Sequence, residues 1–174
     1  MPINEQRDKL INYEVFLGGK RKLGMADITL PKIKYLTNTM KGAGIGGDID
    51  MPTLGMTSDM DLTIKWRTIN TDVAELFAPR AHDLVFRGAN QHYDAATGEL
   101  ITDSIRINVR VLPKEMDVGK LDPASQTDST NQMSVLYFQE KINDKKKIEI
   151  DKLNYIFYVD GVDYFAPVRT ALGL

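Results

Sequence analysis

The stretch that decides the fold reads ITLPKI at residues 28–33 and MKGAGIGG at residues 40–47. It joins a strand-like run to a segment in which four of six residues are glycine. Glycine adopts positive φ without steric cost and lets the backbone approach another surface closely. The patternless stretch that follows is about 17 residues long, which a compact domain rarely keeps without a function. We therefore predict an extended loop over about residues 41–58 that contacts another subunit.

Methionines cluster in and beside this loop. Met side chains adapt to irregular surfaces. In a monomer they would fold back onto the core, whereas in an assembly they would pack against a neighbour, and the length of the loop favours the second reading. The predicted subunit-interface residues are Met40, Gly42, Gly44, Gly46, Gly47, Asp48, Asp50, Met51, Pro52 and Met56.

The rest of the chain has mostly the two-residue period of half-buried strands. Residues 61–67 place Leu62, Ile64 and Trp66 on one face and polar side chains on the other, and residues 105–111 alternate in the same way. This pattern predicts a mainly β protein with an antiparallel sheet that covers a core with one face. Further strands are predicted at residues 13–17, 25–40, 83–88, 133–142, 146–150, 155–159 and 162–165.

The connections carry turn chemistry. Asp160-Gly161 between two apolar runs predicts a two-residue hairpin, and residues 94–98 predict a longer one. Thr71, Asp72 and Pro79 delimit one short helix at about residues 72–78. Residues 121–131 are polar and rich in turn formers, which predicts a surface loop.

Length and composition indicate one domain over residues 1–174, with a short N-terminal arm at about residues 1–10. The 22 basic and 24 acidic residues give a net charge of −2, which argues against general nucleic-acid binding. The chain has no cysteine, so disulfides and thiolate metal sites are excluded. It shows neither a signal-peptide h-region nor a run of the roughly 20 apolar residues that cross a bilayer. We expect synthesis in the cytoplasm and no membrane anchor.

The sequence indicates no catalytic, metal or cofactor site. His82 and His92 are the only histidines; they are spaced ten residues apart across a predicted strand, and the sequence indicates no third ligand. Asp48, Asp50, Asp59 and Asp61 flank the glycine segment but lack the ligand order of a calcium-binding loop. The glycine segment is followed by acids and a proline instead of the helix that a phosphate-binding loop requires. We therefore predict a protein that is not an enzyme.

Together the ITLPK run at 28–32, Gly42-Ala43-Gly44, Met51-Pro52 with Leu54-Gly55, and the strand through Trp66 resemble one family. The chain is similar, from about Leu10 onward, to the major tail tube proteins of contractile-tailed bacteriophages and of related phage-tail-like bacteriocins. The resemblance implies an antiparallel β-barrel or sandwich with one short flanking helix and a long glycine-rich inter-strand loop. It also implies hexameric rings that stack into a hollow tube.

The resemblance further implies that residues 25–40 pair with residues 61–70 around the bore, and residues 104–112 with residues 133–142. The bore-forming residues would then be Leu30, Lys32, Lys34, Asp61, Thr63, Lys65 and Arg67. Expected partners are other copies of the chain and the tail sheath, tape measure and baseplate proteins. DNA would be only passing cargo, and the location would be a virion tail or tail-like particle. A type VI secretion-like tube protein and a monomeric β-sandwich that binds a ligand are the alternatives.

Overall fold

The computed structural model describes residues 5–24 and 26–174, and most of its elements are strands. The strands are β1 (Glu5–Leu17), β2 (Arg21–Lys22), β3 (Ala26–Thr29), β4 (Tyr35–Met40), β5 (Ile49–Thr57), β6 (Asp61–Trp66), β7 (His82–Asp94), β8 (Glu99–Asp117), β9 (Thr130–Ile142), β10 (Lys145–Asp151), β11 (Ile156–Val159) and β12 (Val162–Asp163). The helices are α1 (Thr71–Glu75) and α2 (Ala166–Leu172). The predicted mainly β fold is confirmed.

Ten of the strands form one antiparallel sheet. Eight follow the order β12-β11-β10-β9-β8-β7-β1-β2. Strand β9 is the branch point: β8 pairs along one edge, while β6 pairs with residues 130–134 and β10 with residues 137–142 of the other edge. Strand β3 then pairs with β6. This fork lets β3 and β6 fold over the same core that β1, β7 and β8 cover.

The sheet does not close into a barrel. Tyr13 Oη of β1 donates a hydrogen bond to the Ala26 carbonyl of β3 at 2.7 Å. That side-chain bond brings the two strands together, but within the described residues no ladder joins them. Of the two forms expected from the resemblance, the closed barrel is therefore wrong, because β3 keeps an unpaired edge.

The core consists of the inward positions of the long strands together with one face of α1. The alternation predicted for residues 61–67 and 105–111 is observed, since Leu62, Ile64 and Trp66 are at most 1% exposed. The remaining fully enclosed apolar side chains are Met60, Val73, Leu76, Leu84, Val109, Val111, Met133, Val135 and Ile150. Period-two patterning thus reports correctly which face of each strand is buried.

A buried polar link ties the helix to two strands of this core. Trp66 Nε1 donates to Asn131 Oδ1 at 2.8 Å, and Asn131 Nδ2 donates to the Val73 carbonyl at 3.1 Å. Asn131 is 1% exposed, so water cannot replace either bond. Asn70 caps α1 by accepting a hydrogen bond from the Val73 amide at 3.1 Å. The link fixes where β6 ends and α1 begins.

Two predicted strands differ from the structure. The strand expected over residues 25–40 is broken into β3 and β4 by an irregular segment at residues 30–34. Pro31 has no N–H to give to a ladder, which explains the break. Met25, the predicted start, lies outside the described residues. The strand expected at residues 162–165 ends at Asp163.

The prediction of a single helix is wrong, because a second helix, α2, begins shortly after β12. Pro167 occupies its first turn and Gly173 ends it at φ 75° in the left-handed region. A proline at the start and a glycine just past the end are the usual boundaries of a helix, but this one spans only seven residues. The first helix is found where it was predicted, although it ends at Glu75.

The N-terminal arm and the long loop are both more regular than predicted. Residues 1–4 of the arm lie outside the described residues, whereas Glu5 onward belongs to β1 and pairs with β7 as far as Asp94. Residues 49–57, assigned to the loop from sequence, form β5 and pair with β4. Only residues 41–48 connect the two strands.

We predict that Asn131→Ala destabilises the fold far more than Asn108→Ala. The first change leaves the buried Trp66 Nε1–H and the Val73 carbonyl without hydrogen-bond partners. Each unsatisfied group lowers the free energy of unfolding by about 1–3 kcal/mol. Asn108 bonds Gln139 at 2.9 Å in a half-buried position that water reaches, so its loss costs less. Urea unfolding of dissociated protein measures both free energies of unfolding. Equal losses in the two variants would contradict the importance of the buried link.

Candidate functional site

The hairpin of β4 and β5 stands apart from the rest of the fold. It forms its own two-stranded antiparallel sheet, and within the described residues no ladder connects it to the ten-stranded one. An isolated two-stranded hairpin is marginally stable in water at best. Such an element needs support from the body of the protein or from a neighbour.

One face of this hairpin is apolar and uncovered. Cross-strand partners share a face, and the register pairs Met40 with Ile49 and Asn38 with Met51. Leu36, two residues before Asn38, points the same way. We call Leu36, Met40, Ile49 and Met51 the apolar face; their exposed fractions are 41%, 45%, 47% and 48%. Four large apolar side chains side by side in water are typical of an interaction surface.

The opposite face is polar. Thr37 pairs with Pro52 and Thr39 with Asp50, and the Thr39 hydroxyl donates to Asp50 Oδ1 at 2.8 Å. The register shifts between Tyr35 and Thr37, so residues 53–56 bulge out of the ladder. Leu54 and Met56 in this bulge are 55% and 47% exposed. The bulge therefore extends the exposed apolar surface toward the base of the hairpin.

A small aromatic cluster holds the base of the hairpin. The rings of Tyr35 and Phe157 lie 5.5 Å apart between centroids. Gly55 at φ +65° is buried beneath the ring of Phe165, and a Cβ built there would lie 2.9 Å from Phe165 Cζ. Lys152 Nζ donates to the Ser58 carbonyl at 2.7 Å. The hairpin is anchored at its base only, and the anchor requires the absence of a side chain at position 55.

The glycine segment is an open connection at the tip. Gly44 has φ +95° and Gly47 has φ +156°, which explains glycine at these two positions. A Cβ at Gly42, Gly44, Gly46 or Gly47 would meet no heavy atom within 4 Å. Lys41 Nζ and Asp48 Oδ2 are 2.9 Å apart across the tip and are both exposed. Within the described residues the glycines thus serve the turn and contact nothing else.

The structure brings most of the predicted interface residues onto one hairpin but divides them between its two faces. Met40 and Met51 lie on the apolar face, while Asp50 and Pro52 lie on the polar one. Leu36, Ile49, Leu54 and Gly55 were missed. Alternation in residues 35–40 and 49–52 is the signal that could have found the first two, but the glycines made the whole segment look irregular.

The predicted bore residues do not form one strip. Asp61, Thr63 and Lys65 share the polar face of β6, opposite the core. Their ladder partners place Thr29 and Asp27 of β3 on the same face. Leu30, Lys32 and Lys34 precede β4 in the irregular segment, and Arg67 follows β6. Only the β6 residues therefore belong to a regular sheet surface. We call the polar face of β3, β6, β9 and the end of β8 that pairs with them the wall.

Charges on this wall are paired. Lys114 Nζ lies 3.0 Å from Asp59 Oδ2 and 2.8 Å from Asp61 Oδ1, and Lys65 Nζ lies 3.3 Å from Asp128 Oδ1. The hydrogen bond from Lys114 is the main reason that the pKa of Asp59 lies below its ordinary value. The four acids named here, Asp27, Asp59, Asp61 and Asp128, outnumber the two lysines.

The two histidine rings have different partners and do not share a site, as their spacing in the sequence indicated. The His82 ring nitrogen Nε2 lies 3.1 Å from the Ala78 carbonyl, and His92 Nδ1 lies 2.9 Å from Asp103 Oδ2. In the described part of the chain, histidine and acidic side chains form no group of three that could hold a metal. No helix there is both apolar enough and long enough to span a bilayer.

Comparison with known proteins assigns the family. A family model described as phage tail tube protein FII matches residues 7–173. The chain belongs to this family. It is 32% identical over 173 residues to the tail tube protein of Escherichia phage P2, an alignment that covers 95% of this chain and 96% of that protein. It is 24% identical over 169 residues to the major tail tube protein of Serratia phage KSP20, with the same coverage.

A solved structure supports the fold. The chain superposes with a TM-score of 0.55 on one from a cryo-EM structure of an extracellular contractile injection system, described as the PVC sheath/tube terminator in the extended state. The match covers 78% of this chain and 97% of the other, at 14% identity. The fold is thus similar to that of a chain from a contractile injection system.

We predict that Gly55→Ala releases the hairpin base and that Gly44→Ala does not. Both glycines have positive φ, so both changes carry backbone strain of about 1–2 kcal/mol. Only the Cβ at position 55 would strike the Phe165 ring. Limited proteolysis of dissociated protein should therefore cut the hairpin faster in Gly55→Ala alone. Equal cutting in both variants would show that the Phe165 contact does not anchor the hairpin.

Acid should loosen the same anchor through Asp163. Burial alone would raise the pKa of Asp163, but bonds from Arg169 at 2.7 Å and from the Phe165 amide at 3.0 Å outweigh it, so the pKa lies below 3.8. The stabilisation is complete above pH 3.8 and is lost as the pH falls through the lowered pKa. We expect the difference in Tm between wild type and Asp163→Asn to shrink from pH 7 to pH 3. A constant difference would exclude this carboxylate as the acid-sensitive group.

Proposed function

We propose that this tail tube subunit assembles into closed rings, six to a ring by family resemblance, that stack into the hollow tube of a phage-type contractile tail. The observation that carries the proposal is the apolar face, which the subunit leaves in water. A tube subunit has a use for such a surface because a neighbour can cover it. The role is structural and requires no catalytic residue. If the protein were instead a monomeric sandwich that binds a ligand, no neighbouring subunit would cover this surface.

Two free sheet edges favour ring closure. Strand β3 pairs with β6 on one side only. At the other end of the same wall, Leu112–Asp117 of β8 pair with β9, but the β7 ladder stops at Val111. Open edges present unpaired N–H and C=O groups that invite another strand. Joining β3 of one subunit to β8 of the next would satisfy both edges, and repeated rotation would close the ring.

Strand directions are consistent with this junction. The wall runs β3-β6-β9-β8 with every neighbour antiparallel. An even number of antiparallel strands makes β3 and β8 run in opposite directions. A rotated copy therefore presents its β8 antiparallel to β3, which continues the alternation around the ring.

The polar face of the wall would line the bore. It carries hydroxyl and amide side chains such as Thr63, Gln132 and Ser134 beside the paired charges described above. Because Lys65 and Lys114 are paired with acids, they offer little attraction to a polyanion, so DNA would slide past without being held. Passage of DNA, or puncture of a membrane by the tube, remains a prediction.

The hairpin would provide the contact between stacked rings. It is anchored at the base and projects its apolar face into solvent. Complete burial of a Leu, Ile or Met side chain stabilises by about 1.5–3 kcal/mol. Even partial coverage of four such side chains therefore favours association. Sheath contact is proposed because the similar solved chain is described as part of a sheath/tube terminator. Tape measure and baseplate contacts, and a location in a virion tail or tail-like particle, are likewise proposals.

A pair of lysine substitutions on opposite faces of one hairpin tests the stacking role. Met51→Lys would place a charge in an apolar interface, whereas Thr37→Lys alters the polar face of the same ladder. We expect the first change to raise the concentration needed for assembly by at least about tenfold, the effect of 1.4 kcal/mol. Sedimentation velocity and negative-stain microscopy measure assembly, and circular dichroism verifies the fold.

The two variants distinguish loss of a stacking contact from damage to the fold of the hairpin. Long tubes from Met51→Lys would exclude the apolar face as the stacking contact, and equal loss in both would indicate damage to the hairpin itself. Wild-type protein that stays near 19.6 kDa at every concentration would contradict self-assembly altogether.

A further inference from the structure

Five methionines of the described residues lie in two sharply different environments, and Met116 is intermediate between them. Met40, Met51 and Met56 are 45%, 48% and 47% exposed and all lie on the hairpin. Met60 and Met133 are completely buried in the core. The most accessible thioethers within the described residues are therefore concentrated on the surface that assembly is proposed to cover.

We propose that Met40, Met51 and Met56 form a peroxide-sensitive modification site, and that their oxidation in the free subunit blocks self-assembly. The inference rests on the proposed function, because it assigns the hairpin to the contact between subunits. The chemical class of the reactant is a small hydroperoxide, with hydrogen peroxide as the simplest member.

The reaction needs only the thioether and the peroxide. A lone pair on Sδ attacks one peroxide oxygen, the O–O bond breaks, and an S–O bond forms. Methionine is oxidised by two electrons to the sulfoxide, and hydrogen peroxide is reduced to one molecule of water after proton transfer. Accessibility limits the rate, since the reactant must reach the sulfur.

Oxidation would make apolar side chains of the hairpin polar, and their apolar character is what favours association. The sulfoxide oxygen is a polar acceptor, and burying it without a hydrogen-bond donor is unfavourable. Met40 and Met51 lie beside Leu36 and Ile49, whose side chains have no donor, and Asn38 opposite Met51 carries the one side-chain amide on this face. Met56 lies in the bulge near the base of the same hairpin and is also exposed. Sulfoxides here would keep the apolar face hydrated.

The state of assembly would in turn control the chemistry. Once a neighbour covers the apolar face, the peroxide can no longer reach these sulfurs. The vulnerable period therefore lies between folding of the subunit and its incorporation. A finished tube would resist doses of peroxide that inactivate free subunits.

The experiment treats dissociated subunits and preformed tubes with the same dose of hydrogen peroxide. Peptide mass spectrometry then follows each methionine separately. In subunits we expect Met40, Met51 and Met56 to oxidise at least about tenfold faster than Met60 and Met133, since susceptibility follows exposure. In tubes we expect the three to be protected. Treated subunits should need at least about tenfold more protein to assemble.

A triple Leu variant, Met40→Leu with Met51→Leu and Met56→Leu, is the matched control, since the apolar volume is retained. It should assemble both before and after treatment, and methionine sulfoxide reductases should restore treated wild type. Assembly of fully oxidised wild type, or equal loss in the Leu variant, would overturn the inference alone. Failure of untreated wild type to assemble would instead contradict the proposed function and, with it, the coupling.

Discussion

The buried link from Trp66 through Asn131 to Val73 is the interaction on which the arrangement of this fold depends. It joins the end of β6 and the nearby helix α1 to the start of β9, where Asn131 is 65 residues from Trp66 along the chain. Because the link is enclosed, each polar atom must find its partner in one geometry. That geometry sets the direction of β6, and β6 carries the polar wall on one face and the core on the other. The position of β6 in turn fixes where the hairpin of β4 and β5, which precedes it in the chain, joins the rest of the fold.

The fold class could be predicted because period-two patterning responds to burial on one side of a sheet. Leu62, Ile64 and Trp66 were assigned to the core from spacing alone and are buried. The branch at β9 could not be predicted. Strand β9 pairs with different strands along the two halves of one edge, and nothing in its alternation distinguishes those halves. Pairing of this kind depends on contacts between residues that are distant in sequence.

The candidate surface was located but not resolved into faces. The glycines at positions 42 to 47 indicated a reversal of the chain, and the structure places the tip of the hairpin there. They also concealed β5, because a strand with one exposed apolar face and one exposed polar face resembles a loop rich in mixed residues. Gly55 shows the opposite case. Its role depends on Phe165, which is 110 residues later in the chain, and only the folded structure brings the two together.

Branching at β9 also has a mechanical consequence. A tube driven through a barrier is loaded along its axis, and each subunit must pass that load to the next without yielding. Strand β9 is hydrogen-bonded on both edges, to β8 along one and to β6 and β10 along the other. Sliding it would require many backbone bonds to break at once instead of one after another. The subunit should therefore be stiff through its wall and compliant only at the hairpin. In the proposed tube of stacked rings, bending would then be confined to the planes between rings.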